Sequence, residues 1–197
     1  MRKLLLGIAL AFFSIIGYSQ ENYVEPRNIV VELRSLNNYC SGVIVAEGLI
    51  ATAAHCEIPN VVNVILPDGT VLPGVIVESN TDQDLALVGA SVHCPCIPLA
   101  TSLNDPGNAS LAVGYPFYPY IGHILWSWGQ LQGVDKEGGI LSQARIDKGM
   151  SGGGLFQRNN DHWELVGILE AYLGDTGLLS RSVPLDTLKE MLHHHGQ

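Results

Sequence analysis

Short apolar runs, each cut off by a turn, follow one another along almost the whole of this chain. Runs rich in Val, Ile and Leu occupy 29–33, 42–45, 49–52, 61–66, 71–77 and 85–89, with turn formers such as Pro67-Asp68-Gly69 and Glu78-Ser79-Asn80 between them. After a loop at 102–108 the pattern resumes at 109–114, 124–132, 140–146, 153–157 and 164–171. Brief β-branched runs bounded by turn residues read as strands. Many of them in succession make a sandwich or barrels, and the pattern alone does not choose between the two. Only 184–194 reads as a helix, with Val183, Leu185, Leu188 and Leu192 at helical spacing. Pro184 suits a first helical turn, where its missing N–H is no loss. His193, His194 and His195 in the last turn complement the helix dipole when protonated. Three adjacent histidines do not suggest a metal site, because neighbouring helix positions point apart. There are no repeats and no low-complexity tracts.

The first residues have a different logic. Arg2 and Lys3 precede a mostly apolar stretch from Leu4 to Ile16, and Gly17 and Ser19 place small residues just before Gln20. That is the layout of a secretory signal peptide, expected to span 1–19. The apolar stretch is shorter than the roughly 20 residues that cross a bilayer, and no cysteine follows it to carry a lipid anchor. Removing residues 1–19 from 197 leaves 178, enough for one compact unit or two small subdomains. It also removes Arg2 and Lys3, taking the formal charge from −9 to −11. So acidic a surface argues against nucleic acid or an anionic membrane as partner. A secreted or periplasmic location makes disulfides stable, which bears on the four cysteines.

Three local sequences carry chemistry. Thr52-Ala53-Ala54-His55-Cys56 follows a strand, Asp84-Leu85-Ala86-Leu87-Val88 opens one, and Gly149-Met150-Ser151-Gly152-Gly153 is a glycine-rich turn ahead of Leu155 and Phe156. A serine hydroxyl is a weak nucleophile at neutral pH and needs a base to take its proton as it attacks. Gly-x-Ser-x-Gly also forms the nucleophile elbow of α/β-hydrolases, but those enzymes run Ser, acid, His, whereas this chain runs His, Asp, Ser. It also lacks their alternation of strands and helices. On these motifs in this order, the chain resembles the chymotrypsin and trypsin superfamily of serine peptidases over nearly all of 28–192.

That resemblance implies an all-β fold of two six-stranded Greek-key β-barrels followed by a C-terminal α-helix. The N-terminal barrel would span 20–101 and carry His55 and Asp84; the C-terminal barrel, 102–197, would carry Ser151 and the helix. It implies a serine endopeptidase in which His55 is the base and later the acid, Asp84 orients the imidazole, and Ser151 attacks. The amides of Gly149 and Ser151 would form the oxyanion hole. It also implies a Cys40–Cys56 disulfide clamping the loop of the histidine. Cys94-Pro95-Cys96 has no such precedent; a Cys94–Cys96 bridge pinching the inter-barrel linker is expected because no other partner remains.

The chain departs from trypsin where activation by cleavage is concerned. Met150 stands where trypsin has an Asp that pairs with a new amino terminus, and no matching cleavage site precedes the first barrel. The expectation is an enzyme competent without that switch, its oxyanion loop held by local packing. In this it is similar to compact bacterial enzymes, the Deg-type proteases and the glutamyl endopeptidases. Ala112-Val113-Gly114-Tyr115-Pro116-Phe117 resembles a Deg strand end, and Ser182-Val183-Pro184 ahead of a helix recurs there. No peptide-binding PDZ module follows, so control by one is not expected. The short separation of 29 from His55 to Asp84 implies small barrels with trimmed loops. By position, Arg145, Leu169, Glu170, Tyr172 and Arg181 would line the specificity pocket. The arginines suggest an acidic residue at the cut, and Glu170 opposes it. The expected partner is a polypeptide substrate, with no metal or cofactor, no membrane after signal cleavage, and a monomeric state. Asn108-Ala109-Ser110 is a glycosylation sequon. The alternative is a protease-fold binding module without catalysis, which a missing triad member would signal; here none is missing.

Overall fold

The computed structural model describes residues 24–36, 38–117, 123–174 and 177–197; the expected signal peptide lies outside them. Among these residues twelve antiparallel strands close into two barrels. The first comprises β1 (Val30–Arg34), β2 (Tyr39–Ala46), β3 (Leu49–Thr52), β4 (Val61–Ile65), β5 (Val71–Asn80) and β6 (Leu85–Ala90), in the spatial order β1-β2-β3-β6-β5-β4, with β1 pairing back onto β4. The second comprises β7 (Ala109–Gly114), β8 (Leu125–Val134), β9 (Ile140–Ser142), β10 (Gly154–Asn159), β11 (His162–Leu173) and β12 (Leu179–Pro184), ordered β10-β11-β12-β9-β8-β7 and closed by β10 on β7. Closure leaves no free sheet edge, so short strands that would otherwise invite aggregation are fully paired. The one α-helix among the described residues, α1 (Leu185–His194), follows β12 directly. This is the chymotrypsin-like architecture that the resemblance implied.

The burial of each strand follows its sequence. Leu49–Thr52 and the first four residues of β6 are covered on both faces, and apart from Thr52 both read as unbroken apolar runs. In β8 covered and exposed positions alternate, and the face open to solvent carries Trp126, Trp128 and Val134 beside Gln130 and Gln132. Leu33, Ile50, Leu85 and Leu87 lie in the core on the first barrel's strands, and Leu111, Leu131, Leu155, Phe156, Leu165 and Ile168 on the second's, each no more than 1% exposed.

Three boundaries differ from expectation. Glu78-Ser79-Asn80 is not a turn: β5 runs through it, and a bulge between Ile76 and Glu78 interrupts the alternation that would have shown this. The run at 140–146 forms a strand only to Ser142, whose Oγ accepts the amide of Ala144 and turns the chain away. Pro184 is the last residue of β12 and the N-cap of α1 rather than a residue of its first turn. In addition, Leu99 bridges Leu165, and the amides of Leu165 and Ala100 close hydrogen bonds of 2.9 and 2.8 Å. The segment at 98–100 thus lies along β11 of the second barrel.

The helix reaches back to the first barrel. Lys189 Nζ donates to the carbonyl of Ala100, His194 and His195 each meet a carboxylate oxygen of Glu78 on β5, and the Thr187 hydroxyl donates to the side-chain oxygen of Gln83. Gln83 precedes Asp84, so α1 braces the loop that carries this acid.

Candidate active site

His55 sits in a 3-10 turn, Ala54–Cys56, directly after β3. The turn ends at Glu57 in the left-handed region, and Asn38 Nδ2 donates to the carbonyls of Cys56 and Glu57 at 3.0 and 2.9 Å. The Cys40–Cys56 disulfide fastens the same turn to β2, with Cα atoms 6.2 Å apart. In the chain-entropy model, closing this loop of sequence separation 16 is worth about 3 kcal/mol.

Asp84 ends the tight β5–β6 connection at φ +50, a left-handed conformation that Asp tolerates better than most residues. Its carboxylate takes two hydrogen bonds from one residue. Oδ1 accepts the backbone amide of His55 at 2.7 Å, and Oδ2 meets His55 Nδ1 at 2.7 Å. The pair fixes both the position of the imidazole and the proton on Nδ1. The hydrogen bond to Asp84 is the largest influence on His55, raising its pKa above 6.5; burial pulls the other way, and the charges of Asp84 and Glu170 raise it further.

Ser151 faces the same cleft as His55, a depression of about 350 Å³ that Tyr39, Phe117, Lys148 and Gly149 also line. Its Oγ donates to the carbonyl of Glu170 at 3.1 Å. Among the described residues no hydrogen bond joins Ser151 Oγ to His55 Nε2, a looseness common in substrate-free sites. Glycine is required on both sides of the serine. Gly149 has φ +91 and Gly152 φ +82, and a Cβ on Gly152 would lie 2.2 Å from both the Ser41 carbonyl and Thr52 Oγ1. Met150, between them, is 1% exposed and packs against Gly114.

The carbonyls of this turn are anchored one by one. Lys148 O accepts from Phe117 N at 2.6 Å, Gly149 O from Ser41 Oγ at 2.8 Å and Met150 O from Gly153 N at 2.9 Å. In a trans peptide the N–H points opposite its C=O. Tying back Lys148 O and Met150 O thus turns the amides of Gly149 and Ser151 away from those anchors. The arrangement can activate a hydroxyl beside a histidine-carboxylate pair, with two backbone donors at hand.

The expected pocket residues are more scattered. Leu169 is buried in β11, Tyr172 is 47% exposed, and Arg145 is exposed. Arg181 is fully engaged: it pairs with Asp135 at 2.6 Å, with Glu137 at 3.8 Å and with Glu170. The hydrogen bond to Asp135 first, and then Glu170, hold the guanidinium pKa above its ordinary value against the opposing effect of burial. Glu170 is thereby drawn to Arg181, while its charge still acts on His55. Sequence reading missed these partners of Arg181, as it missed Ser41 and Asn38, because each acts across strands distant in sequence. Cys94 and Cys96 are bridged, their Cα atoms 4.8 Å apart. Among the described residues, no group of three or more His, Cys, Asp or Glu side chains is placed to hold a metal ion, and no helix is long and apolar enough to cross a membrane.

Comparison with known proteins bears on the fold and the family. No curated protein sequence matches the chain. The fold matches a solved structure, the serine endoprotease from Yersinia pestis, with a TM-score of 0.75 and 23% identity over 85% of this chain. The match spans 62% of that protein, so the present chain covers less than two thirds of it. The family profile described as a trypsin-like peptidase domain matches residues 40–168, taking in His55, Asp84 and Ser151. The chain belongs to the trypsin-like peptidase domain family, within the trypsin-like serine peptidase superfamily.

Proposed function

We propose that this chain is a secreted or periplasmic serine endopeptidase that cleaves polypeptides through an acyl-enzyme, with His55, Asp84 and Ser151 as its triad. The observation that carries the proposal is the double hydrogen bond from His55 to Asp84 at 2.7 Å, with Ser151 on the same cleft. In the reaction, Ser151 Oγ leaves the Glu170 carbonyl and turns towards His55 Nε2. The imidazole takes the hydroxyl proton as Oγ attacks the substrate carbonyl carbon. The carboxylate of Asp84 stabilises the imidazolium, and the amides of Gly149 and Ser151 receive the oxyanion. His55 then gives its proton to the leaving amine, and water repeats the sequence on the ester.

The backbone donors carry much of the catalysis, since losing one in an oxyanion hole costs roughly 3–4 kcal/mol of transition-state stabilisation. Arg145, Leu169, Glu170, Tyr172 and Arg181 are the proposed substrate-binding residues. Arg181 is occupied by carboxylates, so a preference for Glu or Asp at the cut rests on Arg145. Two disulfides suit an exported protein.

The test is digestion of a peptide library by the oxidised mature chain, with Ser151→Ala as control. Cleavage by the wild type alone is the expected result, and the residue before each cut reads out specificity. Cleavage mainly after Lys, Arg or apolar residues removes the acidic preference and leaves the peptidase standing. No cleavage at all returns the chain to the binding-module reading.

A further inference from the structure

In the oxyanion turn the carbonyls of Lys148 and Met150 are held by backbone amides. Gly149 O is anchored by a side chain, the hydroxyl of Ser41 on β2 of the other barrel. Ser41 is 0% exposed, and all its polar atoms are committed. Its Oγ accepts the amide of Tyr115 at 2.8 Å, which leaves its own proton directed at Gly149 O, also at 2.8 Å. Its amide donates to Ser151 O at 2.8 Å, and its carbonyl accepts from Thr52 Oγ1 at 2.7 Å.

We infer that Ser41 is a positioning residue for catalysis, fixing the Gly149 peptide so that the oxyanion turn is formed before substrate arrives. The inference rests on the peptidase reading above and adds a cause to it. Gly149 stands at φ +91, where a glycine backbone rotates readily. Anchoring its carbonyl removes that freedom, and with it the rotation that would swing the neighbouring amides. A trypsin gains the same order from a new amino terminus paired with an Asp before the serine; here that place is taken by buried, apolar Met150. The hydroxyl of Ser41 supplies the order from within the fold, with no cleavage required. Ser41 touches neither the reacting atoms nor the substrate, so its effect reaches the reaction only through Gly149 and Ser151.

The test compares the rate at which a fluorophosphonate labels Ser151 in wild type, Ser41→Ala and Ser41→Thr, together with kcat and KM for a peptide amide. Wild type is expected to label. Ser41→Ala should label ten- to a hundredfold more slowly, with kcat falling in parallel and KM within twofold. Ser41→Thr, which keeps the hydroxyl, should recover most of the rate. A role in packing alone would lower the melting temperature without that split between kcat and KM. Labelling of folded Ser41→Ala within twofold of wild type overturns the inference. Should that variant not fold, Ser41→Gly, which also lacks the hydroxyl, faces the same criterion. Absence of label on wild-type Ser151 overturns the peptidase reading and the inference together, and is told apart because it needs no variant.

Discussion

Replacing Asp84 with Asn separates the charge of this side chain from its shape. The carboxylate accepts two bonds from His55, at the backbone amide and at Nδ1, each 2.7 Å long. An amide of the same size has one accepting oxygen. If that oxygen keeps the backbone N–H, the NH2 faces Nδ1 and forces the proton onto Nε2, where it blocks uptake of the Ser151 proton. If the amide flips, two donors meet at the backbone of His55. Either way one charge-assisted bond is lost, about 1.5–3 kcal/mol. The kinetic effect is larger, because the wrong tautomer in such triads costs about 10⁴ in kcat, or roughly 5.5 kcal/mol of barrier. The pH profile should move as well. Asp84 is the main cause of the raised His55 pKa, so the acid limb of kcat/KM lies above 6.5 in wild type and falls below its wild-type position in Asp84→Asn. The sign for stability follows: a histidine whose pKa is raised by folding contributes most below its unfolded pKa and loses that contribution as pH rises through the folded value. His55 is half-exposed, so this contribution is small beside the kinetic one. Initial rates on a peptide amide from pH 5 to 9 give both quantities. A variant within tenfold of wild type at pH 8, or an unmoved acid limb, refutes the reasoning.

Other perturbations test the frame around the site. Replacing Cys40 and Cys56 by Ala should cost about 3 kcal/mol in urea unfolding, whereas Ser at Cys94 and Cys96 should cost only about 1, since loop-closure entropy grows with separation and these bridges span 16 and 2 residues. Gly152→Ala should lose at least about 2 kcal/mol, because the new Cβ meets Ser41 O and Thr52 Oγ1 at 2.2 Å in a left-handed backbone. Arg181→Ala should destabilise by roughly 1–3 kcal/mol, leaving Asp135 and Glu170 without their cation; a loss within 0.5 kcal/mol, the usual range for surface changes, would show those pairs to be dispensable.

Much of the scaffold was legible because its signals are local. Strands such as β3 and β7 announce themselves by apolar runs between turns, and the proposed triad rests on three short motifs whose order excludes the other common serine-hydrolase fold. The placement of the barrels came from resemblance, since periodicity alone allowed a sandwich. What stayed hidden was irregular or distant. The bulge between Ile76 and Glu78 turned a strand end into an apparent turn, because one extra residue breaks the alternation on which strand reading depends. Ser41 carries no signal in sequence: a lone serine on a buried strand gives no hint that its partner is Gly149, 108 residues away. Arg181 reads in sequence as a pocket cation, because Asp135 and Glu137 reach it only once the β8–β9 hairpin is folded against β12. The terminal histidines showed their helix position but not their contact with Glu78, which belongs to the other barrel.

The central claim is that Ser151 is a nucleophile activated by His55. Intact mass and peptide mapping of the oxidised mature chain after fluorophosphonate treatment test it directly, with His55→Ala alongside. The account predicts one adduct per chain, located on Ser151 and lost in His55→Ala. No adduct, an adduct on another residue, or equal labelling of the His55 variant would contradict it.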